Sequence, residues 1–258
     1  MKKIFLGTVF IALLTAGCDK EDSIPTRFTP NPASNTNVKF LMLSPDAPPV
    51  NFFANGIKSS SILAPSSNIV QGMVFPNVYP STIGYATIPS GSIKIDTKVT
   101  DSSTIMPGEV LLTTTQTLDA GKFYTYVVMD SVSRMTSVLV EDDLSVPNTA
   151  VPYYRLANFT SNSPTMKIEI RKTTGSTYPF TVVSTTDLAF KSVTPFSEME
   201  AATTYRIYLL NPTNDAKLDS ISAFAPTAGR KYTIYTRGVL GYTGTNTRKP
   251  IITSYTNL

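Results

Sequence analysis

Acidic side chains are the residues of this chain best placed to do chemistry. Glu141, Asp142 and Asp143 are a tight acidic cluster, and Asp46 sits in a proline-rich turn, Ser44-Pro45-Asp46-Ala47-Pro48-Pro49. Hard oxygen donors suit Ca²⁺, so Asp46, Asp142 and Asp143 form a candidate metal set, with calcium the one cofactor it would imply. Their spacing matches no EF-hand or repeat-type calcium loop, and a charged strand end leading into a linker explains the cluster equally well. A carboxylate pair for glycoside hydrolysis could be drawn from Asp46, Asp96, Glu109, Asp142 and Asp143, but no spacing selects two of them. Histidine is absent and Cys18 is the only cysteine. A disulfide, a Cys/His zinc site, a Ser-His-Asp or Cys-His nucleophile and an imidazole base are therefore excluded, and the chain is expected not to be an enzyme. Gly238, Gly241 and Gly244 lie in a Tyr- and Thr-rich stretch with no Lys-Ser/Thr pair after them, so they read as loop glycines and not as a phosphate cradle.

The lone thiol has a different use. Lys2 and Lys3 precede an apolar run from Ile4 to Leu14, and small residues lead to Cys18, the layout of a secretory signal over residues 1–17. Leu14, Thr15, Ala16, Gly17 and Cys18 resemble the lipobox of bacterial lipoproteins, in which the cysteine is acylated and becomes the first mature residue. Several acyl chains would hold the chain stably on a bilayer leaflet. Lys20, Glu21 and Asp22 resemble the export signal that sends lipoproteins of Bacteroidetes-type bacteria to the outer face of the outer membrane. The expected address is thus an outer-membrane lipoprotein facing the exterior. Residues 18–37 carry Pro25, Pro30 and Pro32 among Ser, Thr and Asn with no apolar period, and read as a flexible tether.

Composition bounds the remainder. Of 258 residues 41% are hydrophobic and 16% charged, enough for a core and rich in strand-forming types. Two of the 22 basic residues precede Cys18, leaving 20 against 18 acids, with no basic run longer than two, so no nucleic-acid partner is expected. Val38, Phe40 and Met42 alternate with Lys39 and Leu41, a Pro-rich turn follows, and Val50 to Ala54 opens a second strand. Ile93, Ile95, Thr97 and Val99 alternate with Lys94, Asp96 and Lys98, a strand with one wet face. Val110 to Leu118, Lys122 to Met129 and Met135 to Val140 complete roughly seven strands. The path of residues 57–80 is not readable.

The same order returns at an offset of about 110 residues, too long for a solenoid repeat. YYRLANF at Tyr153 answers VKFLMLS at Val38, MKIEI at Met166 answers VNFFA at Val50, and TTYRIYLL at Thr203 answers GSIKIDTK at Gly91. In the best local match, TLDAGKFYTYV against APTAGRKYTIY, a tyrosine follows a turn glycine by three residues, giving Tyr124 and Tyr232. Both resemble the tyrosine corner of immunoglobulin-like sandwiches, a structural role. Consecutive Phe52 and Phe53 must point to opposite faces, one into the core. The organisation expected is all-β, two tandem immunoglobulin-like, Greek-key antiparallel sandwiches over residues 38–147 and 153–258, joined by a linker at 148–152.

SPDAPPVNFFANG, LDAGKFYTYVV and the closing LVEDDLSVP together resemble the bacterial domain-of-unknown-function family forty-three ninety-seven, found in secreted and cell-surface proteins. The resemblance covers Val38 to Pro147. It departs at Asn51, where the family carries aspartate, and in the second unit, where Ser161 to Pro164 replace the acidic turn. It implies architecture and no agreed activity. The function expected is a non-catalytic, lipid-anchored adhesion, interaction or envelope-scaffold module with a protein partner. The alternative is a glycan-binding accessory lipoprotein, with Tyr and Phe, 13 of each, as the contacts available in a chain without Trp.

Overall fold

The computed structural model describes residues 34–63, 70–81, 83–173, 180–244 and 248–258. The signal segment, the lipobox, Cys18 and the export signal lie outside them. Nineteen strands are present and no α-helix occurs among the described residues. The first half contains β1 (Asn35–Leu43), β2 (Val50–Ala54), β3 (Ile57–Lys58), β4 (Ile62–Leu63), β5 (Val70–Gln71), β6 (Val78–Tyr79), β7 (Ala86–Pro89), β8 (Gly91–Val99), β9 (Val110–Leu118), β10 (Phe123–Met129) and β11 (Thr136–Glu141). The second contains β12 (Tyr153–Asn158), β13 (Thr165–Thr173), β14 (Phe180–Ala189), β15 (Ser197–Glu198), β16 (Tyr205–Leu210), β17 (Lys217–Phe224), β18 (Lys231–Arg237) and β19 (Ile251–Thr256).

Each half is a pair of sheets, and the strand order repeats. One sheet of the first half runs β11-β10-β1-β6, with β7 also on β1, and its counterpart in the second half runs β19-β18-β12-β15. The other sheets run β3-β2-β8-β9 and β14-β13-β16-β17. Two features differ from the sequence reading. The sheets are not purely antiparallel, because β1 pairs in parallel with β10 and β12 with β18. In each half the chain leaves its first strand, builds the other sheet and returns alongside that strand in the same direction. The ten-residue β14 was also unanticipated; it stands where the first half has only the two-residue β3.

β1 starts at Asn35, inside the segment read as tether, because Asn35 to Val38 pair with Pro89 to Ala86 of β7. The segment at 148–152 is a packed joint: Gly229 donates to the Val151 carbonyl and Met199 to that of Pro152.

Alternation sorts the side chains. Val38, Phe40, Met42, Tyr124 and Tyr126 meet Val50, Phe52, Ile93 and Ile95 in the core of the first half. Phe52 is fully buried and stacks on Phe40 with centroids 4.7 Å apart, while Phe53 faces outward under Lys98. Leu156, Ile234 and Ile252 meet Met166, Ile168, Ile207 and Leu209 in the second half. A third cluster joins the halves: Leu41, Leu43, Val127 and Met129 pack against Ala157, Phe159 and Tyr235. The β1 and β12 sheets therefore lie face to face, buried on both sides, and the molecule is a stack of four sheets.

Strand entries share one device. The hydroxyls of Tyr124 and Tyr232 accept the backbone N–H of Asp119 and Thr227, five residues upstream, at 3.2 and 3.0 Å. Tyr153 and Tyr205 do the same with Asn148 and Glu200, both at 2.9 Å, which the sequence reading missed. Each hydroxyl satisfies a turn donor that the ladder cannot reach.

Phe52→Ala should lose about 3–5 kcal/mol of unfolding free energy in urea, whereas Phe53→Ala should lose about 1 kcal/mol or less. Equal losses would contradict the facing assigned here.

Candidate functional site

The two halves differ in charge. Residues 34–152 carry 6 basic and 9 acidic side chains, residues 153–258 carry 12 and 6. At the seam between the β1 and β12 sheets one ion pair bridges the two halves, on strands that also bury Thr125, Asn158, Thr233 and Thr236.

At its centre Arg155 of β12 and Asp142, just past β11, form an ion pair with side chains 3% and 0% exposed. Arg155 also donates through Nε to Thr233 Oγ1 at 2.8 Å, and its other guanidinium nitrogen faces the Glu141 carbonyl at 3.4 Å. Asp142 Oδ2 accepts from Thr125 at 2.6 Å and from Tyr85 at 2.8 Å. Asn257 donates to the Tyr85 hydroxyl at 3.2 Å and accepts from Thr233 at 2.7 Å, which closes the network across the seam. Burial works against the Arg155 charge, but Tyr255 and Asp142 outweigh it and hold the guanidinium above its ordinary pKa. Burial and the Asp142 charge push the Tyr85 phenol up, so it remains a donor.

Two lysines flank the pair. Lys39 of β1, fully buried, donates to the Gly84 carbonyl at 2.7 Å and lies 4.8 Å from the Tyr85 ring centroid. Burial pulls its pKa down to about 8, against the opposing influence of Asp142. Lys231 of β18 is 2% exposed, donates to the Asp143 carbonyl at 2.6 Å and stands over the rings of Phe196, at 4.6 Å, and Tyr153, at 5.3 Å. Burial lowers its pKa as well; Asp143 opposes that and Arg155 adds to it.

Beside this cluster opens a cleft of about 430 Å³, within the range of small-molecule sites. Its walls are the segment 140–147 leaving the first half, the loop 193–196, Tyr153, Arg155 and Lys231. Aromatic rings, two cations and rim carboxylates thus converge on one concave surface.

The structure separates the candidate calcium ligands. Asp142 is committed to Arg155, Thr125 and Tyr85. Asp143 is exposed and accepts the Ser145 N–H at 2.9 Å, which holds its carboxyl below the usual range. Asp46 accepts the Val132 N–H at 2.9 Å, next to the turn between β10 and β11 and so at the opposite end of β11. Among the described residues no three carboxylates come close enough to hold a metal ion. Gly238 takes φ +101°, and a Cβ there would lie 2.2 Å from the Lys249 carbonyl oxygen, a purely local need for glycine. Arg155, Lys231, Lys39, Tyr85 and Asn257 were not anticipated as a group. The three cations are polar residues inside strands, a signal identical to that of a solvated face, while Tyr85 and Asn257 lie just outside β7 and β19.

A family model described as a domain of unknown function, DUF4397, matches residues 36–169, which includes β1 to β12 and the start of β13. No curated protein matches the chain. Among solved structures, a leucine-rich repeat protein from Bacteroides thetaiotaomicron is 12% identical, with 81% of this chain and 26% of that one covered and a TM-score of 0.17. The chain spans about a quarter of that protein's length, and a likeness this slight carries no argument.

Removing either charge of the central pair strands the other in a dry site. Arg155→Met and Asp142→Asn should each cost about 3–5 kcal/mol, and the double variant markedly less than the sum of the two. Simple additivity in urea unfolding would show that the two are not coupled. Lys39 has a folded pKa below its unfolded one, so the unfolded state binds more protons between pH 8 and the ordinary lysine range. Wild-type stability should therefore rise relative to Lys39→Met over that window, and fall back as pH drops through about 8. A melting-temperature difference independent of pH would refute this.

Proposed function

The chain belongs to the domain-of-unknown-function family DUF4397, and from that premise we propose that it is a non-catalytic binding module of two immunoglobulin-like sandwiches. In this reading it is anchored by acylated Cys18, displayed outside the outer membrane, and captures a saccharide. The observation that carries the reading is the seam cleft, concave, with Tyr153 and Phe196 beside Glu141, Asp143, Arg155 and Lys231. Sugar recognition needs this mixture: ring faces for C–H surfaces, and charged or amide groups for hydroxyls. The packed joint and the buried ion pair support it, since they hold the cleft's walls at a fixed spacing without a ligand.

A second reading, an adhesion or envelope-scaffold protein, is favoured by a different feature. β9, VLLTTTQTL, carries no charge over nine residues and has one neighbour in its sheet, β8. Long uncharged edges invite pairing with another strand.

One experiment separates the readings. The full chain is melted with a panel of polysaccharides, and each mixture is then assayed for new reducing ends. A saturable rise in Tm with one sugar class and no new ends is expected, because a ligand selective for the folded state must stabilise it. No shift with any sugar favours the scaffold, and new reducing ends would overturn the non-catalytic assignment. The amino-terminal peptide should begin at Cys18 and carry acyl mass; an unmodified terminus elsewhere removes the anchor.

A further inference from the structure

Lys231 is a buried cation whose carboxylate neighbours are all engaged elsewhere. Asp142 pairs with Arg155, Glu141 with Lys122 at 2.8 Å, and the Asp143 carboxylate turns to the Ser145 N–H. The ammonium of Lys231, a buried residue, makes no ion pair among the described residues; it has one hydrogen bond, to the Asp143 carbonyl, and two aromatic rings. An ammonium offers three donors, so two are left toward the rings and the cleft. A buried charge of this kind is costly until it is paired. The adjacent Arg155 is paired directly with Asp142, whereas Lys231 has only the longer-range influence of Asp143.

From this geometry we propose that the seam cleft takes a uronic-acid sugar, whose carboxylate pairs with Lys231 while its hydroxyls meet the rim carboxylates. The inference rests on the saccharide-capturing reading and names the ligand class. Three features select a uronate over other anions. Lys231 presents a single positive charge with no ion-pair partner among the described residues, which fits a monoanion. Glu141 and Asp143 at the rim repel a doubly charged phosphate but accept hydrogen bonds from sugar hydroxyls, which a fatty or aromatic acid lacks. The Phe196 and Tyr153 rings border the path to the ammonium and can take the apolar face of a pyranose.

Calorimetric titration of the full chain uses trigalacturonate, galactotriose, acetate and inorganic phosphate. Saturable binding of trigalacturonate is expected, at least tenfold tighter than galactotriose and than either small anion. Lys231→Met keeps the aliphatic stem and should weaken trigalacturonate at least tenfold with an unchanged or raised Tm. Lys231→Arg keeps the cation and should stay within a few-fold of wild type. Equal affinity for acetate would mean an adventitious ion only and would overturn the proposal, as would trigalacturonate binding that ignores Lys231→Met. If Lys231→Met fails to fold, Phe196→Leu, which lines the same wall, should still weaken trigalacturonate several-fold, and an unaltered affinity counts against the site. Galactotriose binding without any uronate preference removes this inference and leaves the saccharide reading standing. No binding of either trisaccharide, with other sugars still raising Tm, has the same meaning.

Discussion

A guanidinium and a carboxylate taken out of water at the middle of the molecule constrain the rest of it. Arg155 and Asp142 come from different halves, so their desolvation is offset only when the two face-to-face sheets dock in one register. The docking must also bring Thr125, Tyr85, Thr233 and Asn257 within hydrogen-bonding distance, since each is half of a pair that closes the network. The surrounding apolar contacts of Leu41, Val127, Phe159 and Tyr235 supply the non-directional part of the association. They would tolerate sliding. The polar centre would not, and the acidic character of one half against the basic character of the other adds an orientation preference at longer range.

This arrangement explains why a repeated topology has unequal halves. The matching sheets keep the same strand order, including the parallel pair, because their two-sided burial ties every residue to a neighbour. Change is concentrated on the outer sheets. There the second half extends β14 to ten residues where the first has a two-residue strand. The strand-entry tyrosines cross that division: among the described residues Tyr124 has an inner-sheet counterpart in Tyr232, and the second half adds Tyr153 on inner β12 and Tyr205 on outer β16, each bonded to a donor five residues before it.

Much of this was legible from residue types. Alternation in Ile93 to Val99 marked the faces of β8 because one side of that strand is wet, and the glycine-to-tyrosine spacing marked the starts of β10 and β18. The seam was not legible for a physical reason. Lys39, Thr125, Arg155 and Thr233 occupy alternate positions on strands that read as half-buried, and polarity at such positions is the same whether the face meets water or a polar layer of another sheet. The one available hint was the near-continuous apolar run in FLML of β1 and YVVM of β10, the pattern of strands buried on both faces. β14 escaped because its Thr- and Ser-rich sequence has no strong alternation and its edge position demands none.

The cleft follows from the same constraint that joins the halves. The two sheets pack through the apolar cluster of Leu41, Val127, Phe159 and Tyr235, and the chain passes from one half to the other beside it. There the exit segment 140–147 and the loop 193–196 form the walls of a concavity beside the ion pair. Arg155 closes its floor by holding Asp142 and the Glu141 carbonyl, and Lys231 holds the next carbonyl along, that of Asp143. One cation is thereby paired within the protein, while its neighbour, which lines the cleft, has no ion pair among the described residues. The cleft thus draws its lining from both halves, Glu141 and Asp143 from one and Tyr153, Arg155, Phe196 and Lys231 from the other, and neither half could form it alone.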